Sequence, residues 1–127
     1  MRINDDTNHD LSIDSYYSLK PGDFCDIEKL VIETHDDGFV TRLYLRLRPR
    51  CSTDTRHLVL TFDGVINLRF TPPERFKLQI SQLEIRSILD MQWEGIRYSV
   101  REAEQEDTIS FLCRKFTAEI VETIDEE

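Results

Sequence analysis

The chain has no apolar run longer than a few residues in a sequence of 127. That excludes a helical membrane span, which needs roughly 18 to 20 consecutive apolar residues. The opening segment, MRINDDTNHD, is acidic and lacks an apolar core, so it does not read as a secretory signal and a cytoplasmic protein is expected. Cysteine is scarce: Cys25, Cys51 and Cys113 stand far apart and outside any C-x-x-C spacing. This argues against a disulfide framework or a zinc site and for reduced structural thiols, with Cys113 the most core-like. Histidine is as sparse. His35 sits in "HDDG", but Asp37-Gly38 is first a turn and only second a metal-ligand pattern. Four scattered glycines leave no loop that could cradle phosphates, and no G-x-S-x-G setting activates a serine. No catalytic residue, metal ligand or cofactor is therefore assigned.

What is abundant is charge, and it is segregated. The net charge is −9, yet residues 1–41 carry ten acids and three bases, residues 42–101 six acids and eleven bases, and residues 102–127 nine acids and two bases. A basic middle between acidic flanks can be satisfied within the fold or can leave an acidic surface for a basic partner. Nucleic-acid binding is not expected, because phosphate contacts need clustered Lys and Arg on a basic surface.

The chain divides into a flexible arm at 1–10, a single β-rich domain at 11–122 and a flexible acidic tail at 123–127. "LSIDSYYSLKPGDF" reads as an irregular lead-in ending at Pro21-Gly22. From there alternation predicts about eight short strands, chiefly an antiparallel meander forming a curved sheet or a sandwich. A two-residue turn at Asp37-Gly38 sets Ile32 opposite Leu43 and Leu30 opposite Leu45 on one face. On the other face it sets Glu33 opposite Arg42 and Val31 opposite Tyr44, and it fails only where Glu28 would face Leu47. A three-residue loop, Phe62-Asp63-Gly64, predicts a second hairpin pairing Leu60 with Ile66 and Leu58 with Leu68, with Gly64 left-handed. It gives Asp63 a turn role rather than a catalytic one.

"SQLEIRSILDMQWEGIRYSV" is ambiguous. Ser81 with Glu84 is a capping-box pattern, and a helix near 82–92 remains an alternative. The common parity of Leu83, Ile85, Leu89, Met91 and Trp93 favours a strand, and a Glu94-Gly95 turn would pair Trp93 with Ile96, Met91 with Tyr98 and Leu89 with Val100. Trp93 is then core before it is an interface anchor. Parity changes near Ser81-Gln82 and across Arg114-Lys115 predict bends.

In "VREAEQEDTISFLCRKFTAEIVE", pairing Val100 with Ile109, Tyr98 with Phe111 and Ile96 with Cys113 leaves residues 103–106 as a loop. Glu102 and Asp107 then form its stem and Glu104 and Glu106 its tip. Like charges across a hairpin are unfavourable, so this cluster must be solvated or neutralised by a partner. Glu102, Glu104, Glu106 and Asp107 are the candidate partner-binding residues. The stripe Arg42, Tyr44, Arg46, Arg48, continuing to Arg50, could serve single-stranded nucleic acid or an acidic partner, but Glu33 opposite Arg42 favours a solvated, ion-paired strand face.

The order "LTFDGVINL", "LEIRSILDMQWEGIRYSV", "EDTISFLCRKFTAEI" resembles small bacterial immunity proteins of polymorphic-toxin and contact-dependent inhibition systems, over roughly residues 57–121. The resemblance implies a non-enzymatic inhibitor that binds a cognate toxin domain, and it assigns no functional residue. A basic toxin domain would suit the acidic surface. The competing readings are a small carboxylate- or metal-dependent hydrolase and a structural or oligomeric accessory protein. The sequence leaves oligomeric state open.

Overall fold

Alternating apolar and polar residues build eight strands. The computed structural model describes residues 11–35, 40–50, 53–71, 80–88, 95–103 and 108–122. A helix, α1 (Leu11–Ser18), and a 3-10 turn (Pro21–Asp23) lead into β1 (Phe24–Thr34) and β2 (Val40–Pro49). Then come β3 (Arg56–Asp63), β4 (Ile66–Phe70), β5 (Leu83–Ser87), β6 (Tyr98–Glu102), β7 (Ile109–Cys113) and β8 (Lys115–Glu122). They form two four-stranded sheets, ordered β1-β2-β3-β8 and β4-β7-β6-β5, with every pair antiparallel. The mainly-β expectation holds, in its two-layered form. The arm at 1–10, the tail at 123–127 and the Asp37-Gly38 turn, Leu89, Met91 and Trp93 lie outside the described residues.

The layers meet through one core. Leu43, Leu45, Leu47, Leu58, Leu60 and Phe62 from the first sheet pack in one cluster with Leu83, Ile85, Tyr98, Val100, Ile109, Phe111 and Cys113 from the second. The rings of Phe62 and Phe111 meet edge-on at 4.8 Å, and those of Tyr98 and Phe116 at 4.9 Å. Such contacts add about 0.5–1.5 kcal/mol each beyond the area they bury.

The first hairpin has the predicted register: Ile32 faces Leu43, Leu30 faces Leu45, Glu33 faces Arg42 and Val31 faces Tyr44. The misfit at Glu28 is resolved by a register shift between Ile27 and Lys29, which puts Ile27 opposite Leu47. A bulge thus exchanges an acid for an apolar side chain on the inner face. A second shift lies between Glu33 and Thr34, where Thr34 pairs with Val40.

The second hairpin does not form. Both edges of β3 are taken by other strands: Leu58 pairs with Leu47 and Ile120, and Leu60 with Leu45 and Ala118. β4 leaves for the second sheet and pairs with β7. Residues 56–70 and 109–122 are therefore the two strands of one long ribbon. Its rungs run from Arg56–Glu122 through Asp63–Lys115 and continue past a corner to Ile66–Leu112 and Phe70–Ile109. Gly64 and Arg114 face each other at that corner. Gly64 is left-handed, as expected, with φ +68°, and the Arg114 amide donates to the Asp63 carbonyl at 2.9 Å. Inward parity changes on both strands there, from Phe62 to Val65 and from Cys113 to Phe116.

In the third segment the strand at Leu83–Ser87 excludes a helix beginning there, but the register is not the predicted one. Ile85, not Leu89, faces Val100, and Ser87 faces Tyr98. Likewise Val100 faces Phe111 and Tyr98 faces Cys113. Both registers slide by an even number of residues, so the faces survive while the partners change.

The lead-in is also corrected: it is a helix. "LSIDSYYS" offers only a short apolar stripe, Ile13, Tyr16 and Tyr17, and an eight-residue helix has little stability in isolation. Tertiary contacts hold it. Tyr16 is fully buried and donates its hydroxyl to the Leu83 carbonyl at 2.5 Å. The Tyr17 hydroxyl accepts from the Ile85 amide at 3.1 Å and donates back to the Ile85 carbonyl at 3.4 Å. β5 is the outer strand of its sheet. The two tyrosines therefore occupy backbone groups that an exposed edge would offer to another chain. Replacing Tyr16 by Phe removes the donor from a buried carbonyl and should lower stability by about 1–3 kcal/mol. Tyr17→Phe should cost less, because water can reach its site. The urea midpoint, read at unchanged m-value, measures both.

Candidate interaction surfaces

The acidic segment separates on inspection. Glu102 is the last residue of β6, on the same parity as Tyr98 and Val100, and is 4% exposed. Its Oε2 accepts from the Ser81 amide and the Ser81 hydroxyl, each at 2.7 Å. Neighbouring it, the Ala103 amide donates to the Gln82 carbonyl at 2.9 Å. Ser81 therefore does not start a helix with Glu84; it holds a buried carboxylate at the β5–β6 end of the second sheet. Glu102 is thus not on an exposed rim, contrary to expectation. Its parity with two core residues was the available signal. Glu104, Glu106 and Asp107 lie outside the described residues.

The outer face of the first sheet carries the arginine stripe. Its registers line up Glu33, Arg42, Asp63 and Lys115 across four strands, a row of alternating sign. Arg42 Nε donates to Asp63 Oδ1 at 2.8 Å, which raises the Arg42 pKa. One row along, Val31, Tyr44, Thr61 and Thr117 are opposite one another. Beyond them Arg46 Nε donates to Glu28 at 2.9 Å, and the same carboxylate lies 3.4 Å from His57 Nε2. Arg48 faces Asp26, and Arg50 donates to the Gly22 carbonyl. Arg42, Arg46 and Arg50 are thus engaged within the fold, which supports a solvated strand face over a nucleic-acid surface. Such exposed pairs contribute about 0–1 kcal/mol each.

A groove of about 300 Å³ runs between α1 and β8, lined by Leu11, Ser12, Ser15, Phe116, Thr117 and Ala118. Leu11 is 73% exposed at its mouth. Its lining offers the hydroxyls of Ser12, Ser15 and Thr117 but no histidine, carboxylate or lysine to activate them. Among the described residues, no three His, Cys, Asp or Glu side chains stand close enough to hold a metal ion. No described helix is long and apolar enough to cross a membrane. Cys25 and Cys113 are buried free thiols. Burial, aided by the Asp63 charge, pushes the Cys113 thiol up to about 12, and burial raises Cys25 as well.

The model of the family described as immunity protein PIM8 matches residues 8–119. The chain belongs to the immunity protein PIM8 family. Comparison with curated proteins and with solved structures gave no match. The PIM8 match spans α1, both sheets and most of β8, so it includes the tyrosine-capped edge and the bent ribbon. An immunity family implies a protein partner, a toxin.

Two substitutions test these assignments. Glu102→Ala should lower stability by about 1.5–3 kcal/mol, because it leaves Ser81 donors without their charged acceptor, and Glu102→Gln should recover part of it. Chemical denaturation measures the difference. Cys113 should resist iodoacetamide at pH 8 in the folded chain and react in urea. The sign of its pH effect follows from the raised thiol pKa. The unfolded chain loses that proton first, so the fold should weaken as pH rises from about 9 towards 12, and Cys113→Val should flatten part of that slope.

Proposed function

We propose that the chain is an immunity protein that neutralises a cognate toxin by binding it in the producing cell, without a reaction of its own. The family match over residues 8–119 carries this reading. We place the acidic surface at the β6–β7 connection, through Glu104, Glu106 and Asp107, with Glu102 beneath as a structural carboxylate. The partner is then a basic toxin domain. A net charge of −9 would speed its encounter, because opposite fields steer association.

A toxin domain should be encoded beside this gene; its expression should arrest growth, and co-expression of this chain should restore it. The double reversal Glu104→Lys with Glu106→Lys should weaken the purified complex by roughly tenfold, about 1.4 kcal/mol, at low salt and by less at high salt. The circular-dichroism melt should not move. Equal affinity of the reversed and unaltered chains at low salt would remove this segment from the interface.

A further inference from the structure

The corner of the ribbon holds one arginine in an unusual way. Arg114 is exposed, and its side chain lies across two left-handed glycines, Gly64 with φ +68° and Gly95 with φ +79°. A Cβ placed on Gly64 would sit 2.7 Å from Arg114 Cγ and 2.8 Å from Cδ. One placed on Gly95 would sit 3.1 Å from Nε and 3.4 Å from Cζ. The aliphatic stem is thus bedded on one turn and the guanidinium on the other. Both glycines have the missing Cβ that this course requires.

No carboxylate among the described residues pairs with that guanidinium. The nearest acid in the ladder, Asp63, is engaged by Arg42 at 2.8 Å. Arg97 is exposed beside it, placed there by its amide bond to the Cys113 carbonyl at 3.0 Å, and Lys115 follows on β8. Among the described residues, the corner thus gathers Arg97, Arg114 and Lys115 around one ion-paired acid, Asp63. Holding a long cation in place before binding removes much of the side-chain entropy that association otherwise costs, roughly 0.5–1.5 kcal/mol per flexible side chain. Arginine is also among the residues enriched at interface hot spots.

We propose that Arg114, flanked by Arg97, is a preorganised anchor for an Asp or Glu side chain of the protein partner. The proposal rests on the immunity reading and adds a contact of opposite sign to it. From Thr108 to Arg114 the chain climbs about 20 Å along β7. An interface of ordinary size, about 800 Å² per partner, can cover that length. The toxin would then be recognised at two ends of the second sheet by charges of opposite sign. That fixes its orientation as well as its affinity.

The test uses the full chain and the toxin domain encoded beside its gene, inactivated for handling, in titration calorimetry. Arg114→Met keeps the stem over Gly64 and should weaken binding about tenfold, and Arg114→Glu about a hundredfold. Both should melt within a few degrees of the unaltered chain. If Arg114→Glu fails to fold, Arg114→Met and Arg114→Lys decide the matter, with Lys expected to retain only part of the affinity because it lacks the planar fork. An acid-to-arginine substitution in the toxin that restores the Arg114→Glu complex would confirm the carboxylate. Unaltered binding by both Arg114→Met and Arg114→Glu overturns the anchor and leaves the immunity reading standing. Failure of the unaltered chain to bind overturns both. Binding of a labelled single-stranded DNA to the unaltered chain, lost in Arg114→Glu, would assign the corner to phosphate and overturn the carboxylate.

Discussion

Both sheets depend on one bent ribbon. Residues 56–70 and 109–122 pair from end to end, and the pair passes from one layer to the other at Gly64 and Arg114. A ribbon that turns a corner must change which side chains face the core, and it does so on both strands at the same rung. Phe62 gives way to Val65, and Cys113 to Phe116. The corner tolerates no Cβ at Gly64, because the Arg114 side chain fills that space. Fold and surface are joined at this point: the geometry that closes the sandwich also sets the direction of an exposed guanidinium.

The remaining edges are managed by separate devices. β5 is occupied by the hydroxyls of Tyr16 and Tyr17. β1 is interrupted by three register shifts, and its start is held by the Ile80 amide bonded to the Cys25 carbonyl. β4 is short and is bent by a left-handed Asn67, with φ +55°. Bulges, short strands and covered backbone discourage pairing with other chains. An inhibitor that must meet one partner benefits from edges that do not recruit others.

Local signals were legible in the sequence and non-local ones were not. The β1–β2 register could be read because a tight turn and two alternating faces constrain it together. Even the misfit at Glu28 marked a real bulge. Asp63-Gly64 misled because its turn chemistry is correct while its partner is wrong. A left-handed glycine serves a corner as well as a hairpin, and nothing local announces that β8 takes the edge of β3. For β5, β6 and β7 alternation identified the faces, but a slide of two or four residues preserves parity, so apolar matching alone could not fix the partner. Helix α1 escaped for a different reason. Its stability comes from two tyrosines reaching a strand some sixty-seven residues away, and no periodicity within eight residues encodes that.

Glu102 shows how a site should be weighed on such a scaffold. Counted with its acidic neighbours it looks like part of a binding rim, but parity with Tyr98 and Val100 commits it to the interior, where Ser81 satisfies it. A buried carboxylate with hydrogen-bond donors cannot be given up cheaply, since its loss leaves those donors unpaired. The outer face of the first sheet is constrained in another way, because Glu33, Arg42, Asp63 and Lys115 alternate in sign and largely cancel. The charges that we propose for partner contact belong instead to strand ends, at the β6–β7 connection and the Gly64–Arg114 corner. Positions at strand ends can change without disturbing the layered core. A scaffold organised in this way can keep its fold while its partner changes, which is what recognition of a particular toxin demands.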